Sequence, residues 1–286
     1  MSNTPLKLIE CPRDAMQGIE EFIPTKLKAE YINKLLKVGF DTIDFGSFVS
    51  PKAIPQMKDT REVLKLLDLS STRSKLLAII ANLRGAEEAV LHPEITYLGF
   101  PFSISETFQQ RNTNSSIAEA FDTVQQIQSL CIKNSKELVI YISMGFGNPY
   151  GDEWDADILS KWVKEMSRIG VKIIALSDTI GVSNPQNIDY LFKNVTNDHP
   201  KIELGVHLHS TPTTRLEKID AAWQAGCRRF DSALKGYGGC PMAKDELTGN
   251  ISTESILSYL NDQQINTGLN MDYWTEAMEF SNHIFH

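Results

Sequence analysis

Two of the chain's six histidines, His207 and His209, are separated by a single residue in the segment GVHLHST, residues 205–211. The segment reads as a buried strand. Side chains at i and i+2 of a strand leave the same face, so both imidazoles are expected to enter one volume. Two convergent ring nitrogens suit a divalent metal, although a histidine at a strand end can equally bond a carboxylate or a carbonyl. The pair Arg13-Asp14, in PRD at 12–14, sets a permanent guanidinium beside a carboxylate. Such a pair is a weak surface contact in water, or an oxyanion holder inside a cleft. A third group lies in KGYGGCPMAKDELTGN, residues 235–250, where Gly236, Gly238 and Gly239 lead to Cys240. A glycine-rich backbone can close over a site, and Lys235 and Lys244 would favour the thiolate; burial as a small hydrophobe is the plainer reading of any cysteine.

These residues need elements to position them. β-branched runs alternate with amphipathic stretches along the whole chain: LKLIE then TKLKAEYINKLLKVG, DTIDFGS then MKDTREVLKLLD, KLLAIIAN then LRGAEEAVL, ITYLGFPFS then SSIAEAFDTVQQIQSLCIKN. LVIYISMGF then DADILSKWVKEMSRIG, VKIIALSDT then PQNIDYLFKNVTN, and IELGVHLHS then TTRLEKIDAAWQAG follow. RRFDSAL, a polar loop and a helix from Thr253 complete eight units. Nearly continuous apolar strands suit a parallel sheet covered on both faces, and eight right-handed crossovers close into a (β/α)8 TIM barrel, here a single catalytic domain over 1–286 with a short C-terminal extension. A doubly wound open sheet is the alternative, but no Gly-rich phosphate fingerprint follows the first strand. In a barrel the polar residues at the strand C-termini surround one mouth. Those positions hold Arg13, Asp14, Asp44, Ser47, Asn82, Ser143, Asp178, His207, His209 and Asp231. Strands one, seven and eight are neighbours, so Asp14 can meet both histidines.

The 286 residues are 42% hydrophobic, enough for a large core, and the net charge of -8 opposes nucleic-acid binding. No apolar run approaches the roughly 20 residues that span a bilayer, so no membrane is expected. The N-terminus enters structure too soon for a targeting peptide. Cys11, Cys131, Cys227 and Cys240 show no C-x-x-C spacing, which suits the cytoplasm; the first three read as packed.

Five motifs in order carry a resemblance: PRDAMQ at 12–17, SFVSPKAIPQM at 47–57, LSDTIGV at 176–182, VHLHST at 206–211 and GYGGCP at 236–241. On them the chain resembles the 3-hydroxy-3-methylglutaryl-CoA (HMG-CoA) lyases of the DRE-TIM metallolyase superfamily. The resemblance implies a TIM barrel that cleaves HMG-CoA to acetoacetate and acetyl-CoA with a divalent metal, Mg or Mn before Zn or Co. It implies Asp14, His207, His209 and Asn250 as metal ligands, Arg13 on the enolate of the departing acetyl-CoA, and Cys240 as the acid that protonates it. Gln17 matches a substrate-pocket glutamine, and Asp178 matches an aspartate of the catalytic pocket. Asp44 stands where the lyases carry a glutamate. His207 or Asp14 would be the general base.

The resemblance also implies an acyl-CoA partner and a homodimer. The departures are Ala15 and Met16 in place of glycine and leucine, GIEEFIPT at 18–25 in place of a CoA-holding run, and one extra residue before Asn250. Lys52 and Arg111 are candidate CoA-phosphate contacts or plain exposed charges. Rival readings are a related 3-hydroxyacyl-CoA lyase, an acyltransferase condensing acetyl-CoA with a 2-oxo acid, and an inactive barrel that retains acyl-CoA and metal binding.

Overall fold

A computed structural model describes residues 5–239 and 248–285. Eight parallel strands form a closed barrel: β1 (Lys7–Glu10), β2 (Thr42–Ser47), β3 (Lys75–Ile79), β4 (Ile95–Ser103), β5 (Glu137–Ser143), β6 (Ile173–Ser177), β7 (Glu203–His207) and, after the two-residue β8 (His209–Ser210), β9 (Arg229–Ser232). β9 closes the ring between β7 and β1. The barrel expected from the alternating pattern is therefore the fold. A short β10 (Gly249–Asn250) pairs antiparallel with β8 at the mouth.

The helices are α1 (Pro12–Gln17), α2 (Thr25–Val38), α3 (Thr60–Lys65), α4 (Leu83–Ala89), α5 (Glu106–Thr113), α6 (Ile117–Lys133), α7 (Ala156–Arg168), α8 (Pro185–Asp198), α9 (Arg215–Gln224), α10 (Thr253–Asp262) and α11 (Met271–Phe280). α2 buries Ala29, Ile32, Leu35 and Leu36 along one stripe and ends at Gly39, whose φ of 86° is left-handed. α6 opens with a capping box between Ser116 and Glu119, and α8 with the Asn184 side chain and Pro185. The C-terminal extension is itself helical. α11 packs on α2, Trp274 meets Phe40 edge-on at 6.1 Å, and the Phe285 ring lies 5.9 Å from Tyr31 and 4.3 Å from Tyr237.

Inside the barrel, Leu77, Tyr97, Val139, Tyr141, Ile173 and Ala175 make an apolar plug. At the lower end Glu203 accepts from Lys7 at 2.7 Å and Arg229 at 3.4 Å. Arg229 crosses the interior over Gly205, where a Cβ would lie 2.8 Å from its stem. Buried charge at that end and packed apolar rings above it leave the opposite mouth as the place where polar groups collect.

Candidate active site

Two local features differ from the strand-end picture. Arg13 and Asp14 sit on a helical turn, α1, with Pro12 at its start, rather than on an extended strand end. β7 stops at His207, and His209 belongs to the separate β8 ladder, where it faces Asn250 across the pair. The interruption does not part the rings: the His207 and His209 centroids are 5.4 Å apart at 68°. The same ladder carries Asn250 to Asp14, whose Oδ2 accepts from the Asn250 amide at 2.6 Å. Gly238, at φ 87°, comes so close to this corner that a Cβ there would be 2.6 Å from Asp14 O.

Donor atoms of Asp14, His207 and His209 all lie within 4.8 Å of one another. His209 Nδ1 is 3.2 Å from Thr179 O, which makes it the N–H donor and leaves Nε2 a lone pair; that Nε2 is buried without a partner among the described residues. His207 Nδ1 is 3.4 Å from Asp231 Oδ2, so a carboxylate stands behind this ring as well. A second bond at Nδ1 to a carbonyl or carboxylate is the usual backing of a metal-ligating imidazole. Burial, and then His207, push the His209 pKa down to about 4, so its ring is neutral at physiological pH. Burial opposes charge on His207, but Asp231 and then Asp14 outweigh it and raise the pKa, which marks negative potential that a cation would satisfy. The donors present therefore fit a divalent ion: a carboxylate, two imidazoles and the nearby Asn250 amide.

Arg13 is the second fixed point. Its Nε lies 3.0 and 3.2 Å from the two oxygens of Asp44, and its Nη1 reaches Asp14 Oδ1 at 2.8 Å and Gln17 Oε1 at 3.0 Å. Gln17 in turn donates to Asp14 Oδ1 at 2.8 Å. Burial would raise the Asp14 carboxyl, yet Arg13, His207 and the Asn250 hydrogen bond hold it at about 2. Asp44 is pushed up by burial to about 6 against the pull of Arg13. Burial disfavours the Arg13 cation, but Asp44 and Asp14 outweigh that and raise its pKa further. The guanidinium is thus permanently charged and aimed by two carboxylates.

Asp178 is placed differently from its neighbours. Its carboxylate accepts from Ser183 N at 3.1 Å and from Lys218 Nζ at 3.0 Å, and both side chains of this ion pair are nearly fully buried. Lys218 also donates to Gly181 O at 3.2 Å and His209 O at 2.7 Å. Asp178 therefore pins the loop after β6, and Lys218 ties that loop to His209. The Asn82 side chain caps α4. Lys52 and Arg111 are exposed, with Arg111 lying 4.7 Å over the Tyr150 ring. Cys240 and Lys244 lie outside the described residues.

Asp231 and Lys218 are the participants whose roles the sequence reading did not assign. Asp231 was legible as a mouth residue, and its pairing with His207 follows from the β7 to β9 register. Lys218 carried a signal too: it shares the buried face of α9 with Ala221 and Ala222, where a lysine is out of place without an anionic or carbonyl partner.

Comparison with known proteins gives the chain a family. The HMGL-like family model matches residues 7–280. The cytoplasmic 3-hydroxy-3-methylglutaryl-CoA lyase of Homo sapiens is 34% identical over 96% of this chain and 74% of its own length. A Pseudomonas aeruginosa protein named 3-hydroxy-3-isohexenylglutaryl-CoA/hydroxy-methylglutaryl-CoA lyase is 32% identical over 95% of this chain and 90% of its own. Among solved structures, the hydroxymethylglutaryl-CoA lyase of Pseudomonas aeruginosa superposes with a TM-score of 0.91 at 31% identity, covering 99% of this chain and 94% of that one. An HMG-CoA lyase of Acinetobacter baumannii, solved with coenzyme A and 3-methylmalate, gives 0.88 at 30% identity, covering 98% and 91%. With its barrel, its motifs and these likenesses along nearly its full length, the chain belongs to the HMGL-like family.

Proposed function

We propose that this protein is a divalent-metal-dependent carbon–carbon lyase that cleaves 3-hydroxy-3-methylglutaryl-CoA to acetoacetate and acetyl-CoA. The observation that carries the reading is the meeting of Asp14, His207 and His209 donor atoms within 4.8 Å, beside a guanidinium clamped by Asp44 and Asp14. Asp14, His207 and His209 would hold the ion, with Asn250 beside them, and Mg2+ or Mn2+ is the ion proposed. Bound there, it supplies Lewis acidity that lowers the pKa of a tertiary alcohol and orients the substrate.

The chain's own groups do the rest. The substrate hydroxyl loses its proton to an acceptor in the cluster, where His207 and Asp14 both stand. The carbon–carbon bond to the thioester methylene then breaks, a ketone forms, and the bonding electrons pass into an acetyl-CoA enolate. Arg13 is proposed to hold that enolate oxygen, a role worth on the order of 3 kcal/mol for a preorganised donor. Gln17 keeps the Arg13 and Asp14 heads in register, and Asp44 sets the guanidinium plane. Cys240, two residues after Gly238, which closes on Asp14, is proposed to deliver the proton to the enolate carbon. Asp178 is proposed to act on the pocket through Lys218 and the loop it pins. A reducing compartment such as the cytoplasm is proposed, supported by the free, buried Cys11, Cys131 and Cys227, and a homodimer is proposed on the resemblance to the lyases alone.

One relative's name favours a second reading of the acyl group: the Pseudomonas lyase is named for a longer isohexenyl substrate as well. A product assay separates the two. Metal-stripped protein is given HMG-CoA or the isohexenyl homologue, with and without Mn2+, and both products are followed by mass spectrometry. Equal, metal-dependent release of acetoacetate and acetyl-CoA supports the first reading; cleavage of the longer substrate alone supports the second. No cleavage of either overturns both.

A further inference from the structure

A second donor set shares His207 with the cluster already described and adds Cys11 and Asp231, which the proposed lyase chemistry does not use. The alternation along β1 sends Ile9 and then Cys11 to the barrel interior, and Ile9 pairs in register with Asp231. Asp231 pairs in the same way with His207 on its other side. One face of three adjacent chain segments thus presents a thiol, a carboxylate and an imidazole, whose donor atoms lie within 4.8 Å of one another. Cys11 is 1% exposed and Asp231 3%.

Two of these groups are left short of partners. Asp231 Oδ2 faces His207 Nδ1 at 3.4 Å, while its other oxygen is buried with no hydrogen-bond partner among the described residues. The Cys11 thiol makes only a long contact, 3.9 Å, to Ile9 O. Tyr141, edge-on to His207 at 5.9 Å between ring centres, adds a buried hydroxyl that also lacks a partner. Arg229, two residues earlier on the same strand, pairs with Glu203, and its Nε and Nη2 have no hydrogen-bond partner among the described residues; burial opposes its charge and the nearby Asp231 supports it. A buried carboxylate oxygen costs free energy unless something positive meets it.

We propose that Cys11, His207 and Asp231 form a second, thiophilic metal site, one that takes Zn2+ or Cd2+ rather than Mg2+. Thiolate, imidazole and carboxylate are the three zinc donors, and tetrahedral zinc sets them about 3.3–3.8 Å apart, a range that contains the 3.4 Å between His207 and Asp231. Binding releases the thiol proton to solvent and leaves the proton of neutral His207 on Nε2, so that Nδ1, which faces Asp231, is free to ligate. His207 belongs to both sets. Two dications on one imidazole repel each other, so an ion at Cys11 weakens binding at Asp14 and His209. The chain would then be inhibited by thiophilic metals through a group that is not part of its chemistry.

The test uses the whole, metal-stripped protein without substrate, so its outcome is independent of the lyase reading. Co2+ and Cd2+ are titrated in while thiolate-to-metal charge-transfer absorption is followed in the near ultraviolet. The wild type is expected to show the band at one equivalent, Cys240→Ser to keep it, and Cys11→Ala to lose it. Saturating Cd2+ is expected to weaken Mn2+ binding about tenfold or more beyond the loss seen in Cys11→Ala, where Cd2+ competes only at Asp14, His207 and His209. No band in the wild type, or a band that survives Cys11→Ala, overturns the site. Equal loss of Mn2+ affinity under Cd2+ in the two proteins overturns the antagonism.

Discussion

The Lys218 ammonium lies 2.7 Å from the backbone carbonyl of His209 and 3.0 Å from Asp178. Through this one buried cation, an outer-layer helix holds a candidate metal ligand at the barrel mouth. The loop that Lys218 pins also carries Thr179, whose carbonyl fixes the His209 ring. Lys218→Met is therefore expected to lower Mn2+ affinity about 10- to 100-fold. Because it leaves Asp178 buried and unpaired, its thermal stability falls as well. Lys218→Met with Asp178→Asn restores stability but not affinity; calorimetric Mn2+ titration beside thermal melts reads the two separately. Wild-type affinity in the double variant would make Lys218 a stability residue alone.

Arg13→Lys keeps the charge and loses the fork that spans Asp44 and Asp14. Turnover is expected to fall about 10²- to 10³-fold, the usual cost of one oxyanion donor. Mn2+ affinity should change far less, since Asp14, His207 and His209 remain. Steady-state kinetics with saturating metal checks this; a raised KM at unchanged kcat would assign Arg13 to substrate binding instead.

Cys240→Ser should bind Mn2+ as the wild type does and lose most turnover, because a serine hydroxyl is a far weaker acid than a thiol. Normal turnover at saturating substrate would remove Cys240 from the protonation step. Diamide treatment offers a second readout, inactivating the wild type and leaving the residual activity of the variant unchanged.

Glu10 is fully buried on the outer face of β1, where it accepts from Leu234 N at 2.7 Å and Thr253 Oγ1 at 2.6 Å. Burial raises its pKa from 4.5 to about 8, even though both hydrogen bonds pull the other way. The folded state therefore holds a proton that the unfolded chain has released. This contribution to stability is complete below pH 4.5 and is lost progressively as pH rises to about 8. Glu10→Gln, uncharged throughout, should melt higher than the wild type above pH 8 and nearly level with it near pH 5. Parallel pH dependence of the two melting temperatures would contradict the shift.

The sequence made the barrel legible because nearly continuous apolar runs and amphipathic stretches alternate without interruption, and strand order in such a fold follows chain order. His207 and His209 were legible because a strand's alternation fixes which side chains share a face, and their rings do share a volume although β7 ends between them. The α1 turn was not, since a six-residue helix offers too few turns for periodicity to show. Neither was the Asp231 contact, which depends on the register between strands that lie apart in sequence. Lys218 was legible only as a lysine on the apolar stripe of its helix; its partners, carbonyls and a carboxylate of two other segments, were not.

The most direct test of the proposed metal centre is to measure Mn2+ binding and HMG-CoA cleavage on the same preparations of wild type, Asp14→Asn and His209→Ala. The wild type is expected to bind Mn2+ at this site and to cleave only when it is loaded. Both folded variants should lose more than about 100-fold in affinity, together with cleavage that excess Mn2+ does not restore. Cleavage by metal-free wild type, or wild-type turnover in folded His209→Ala, would contradict it.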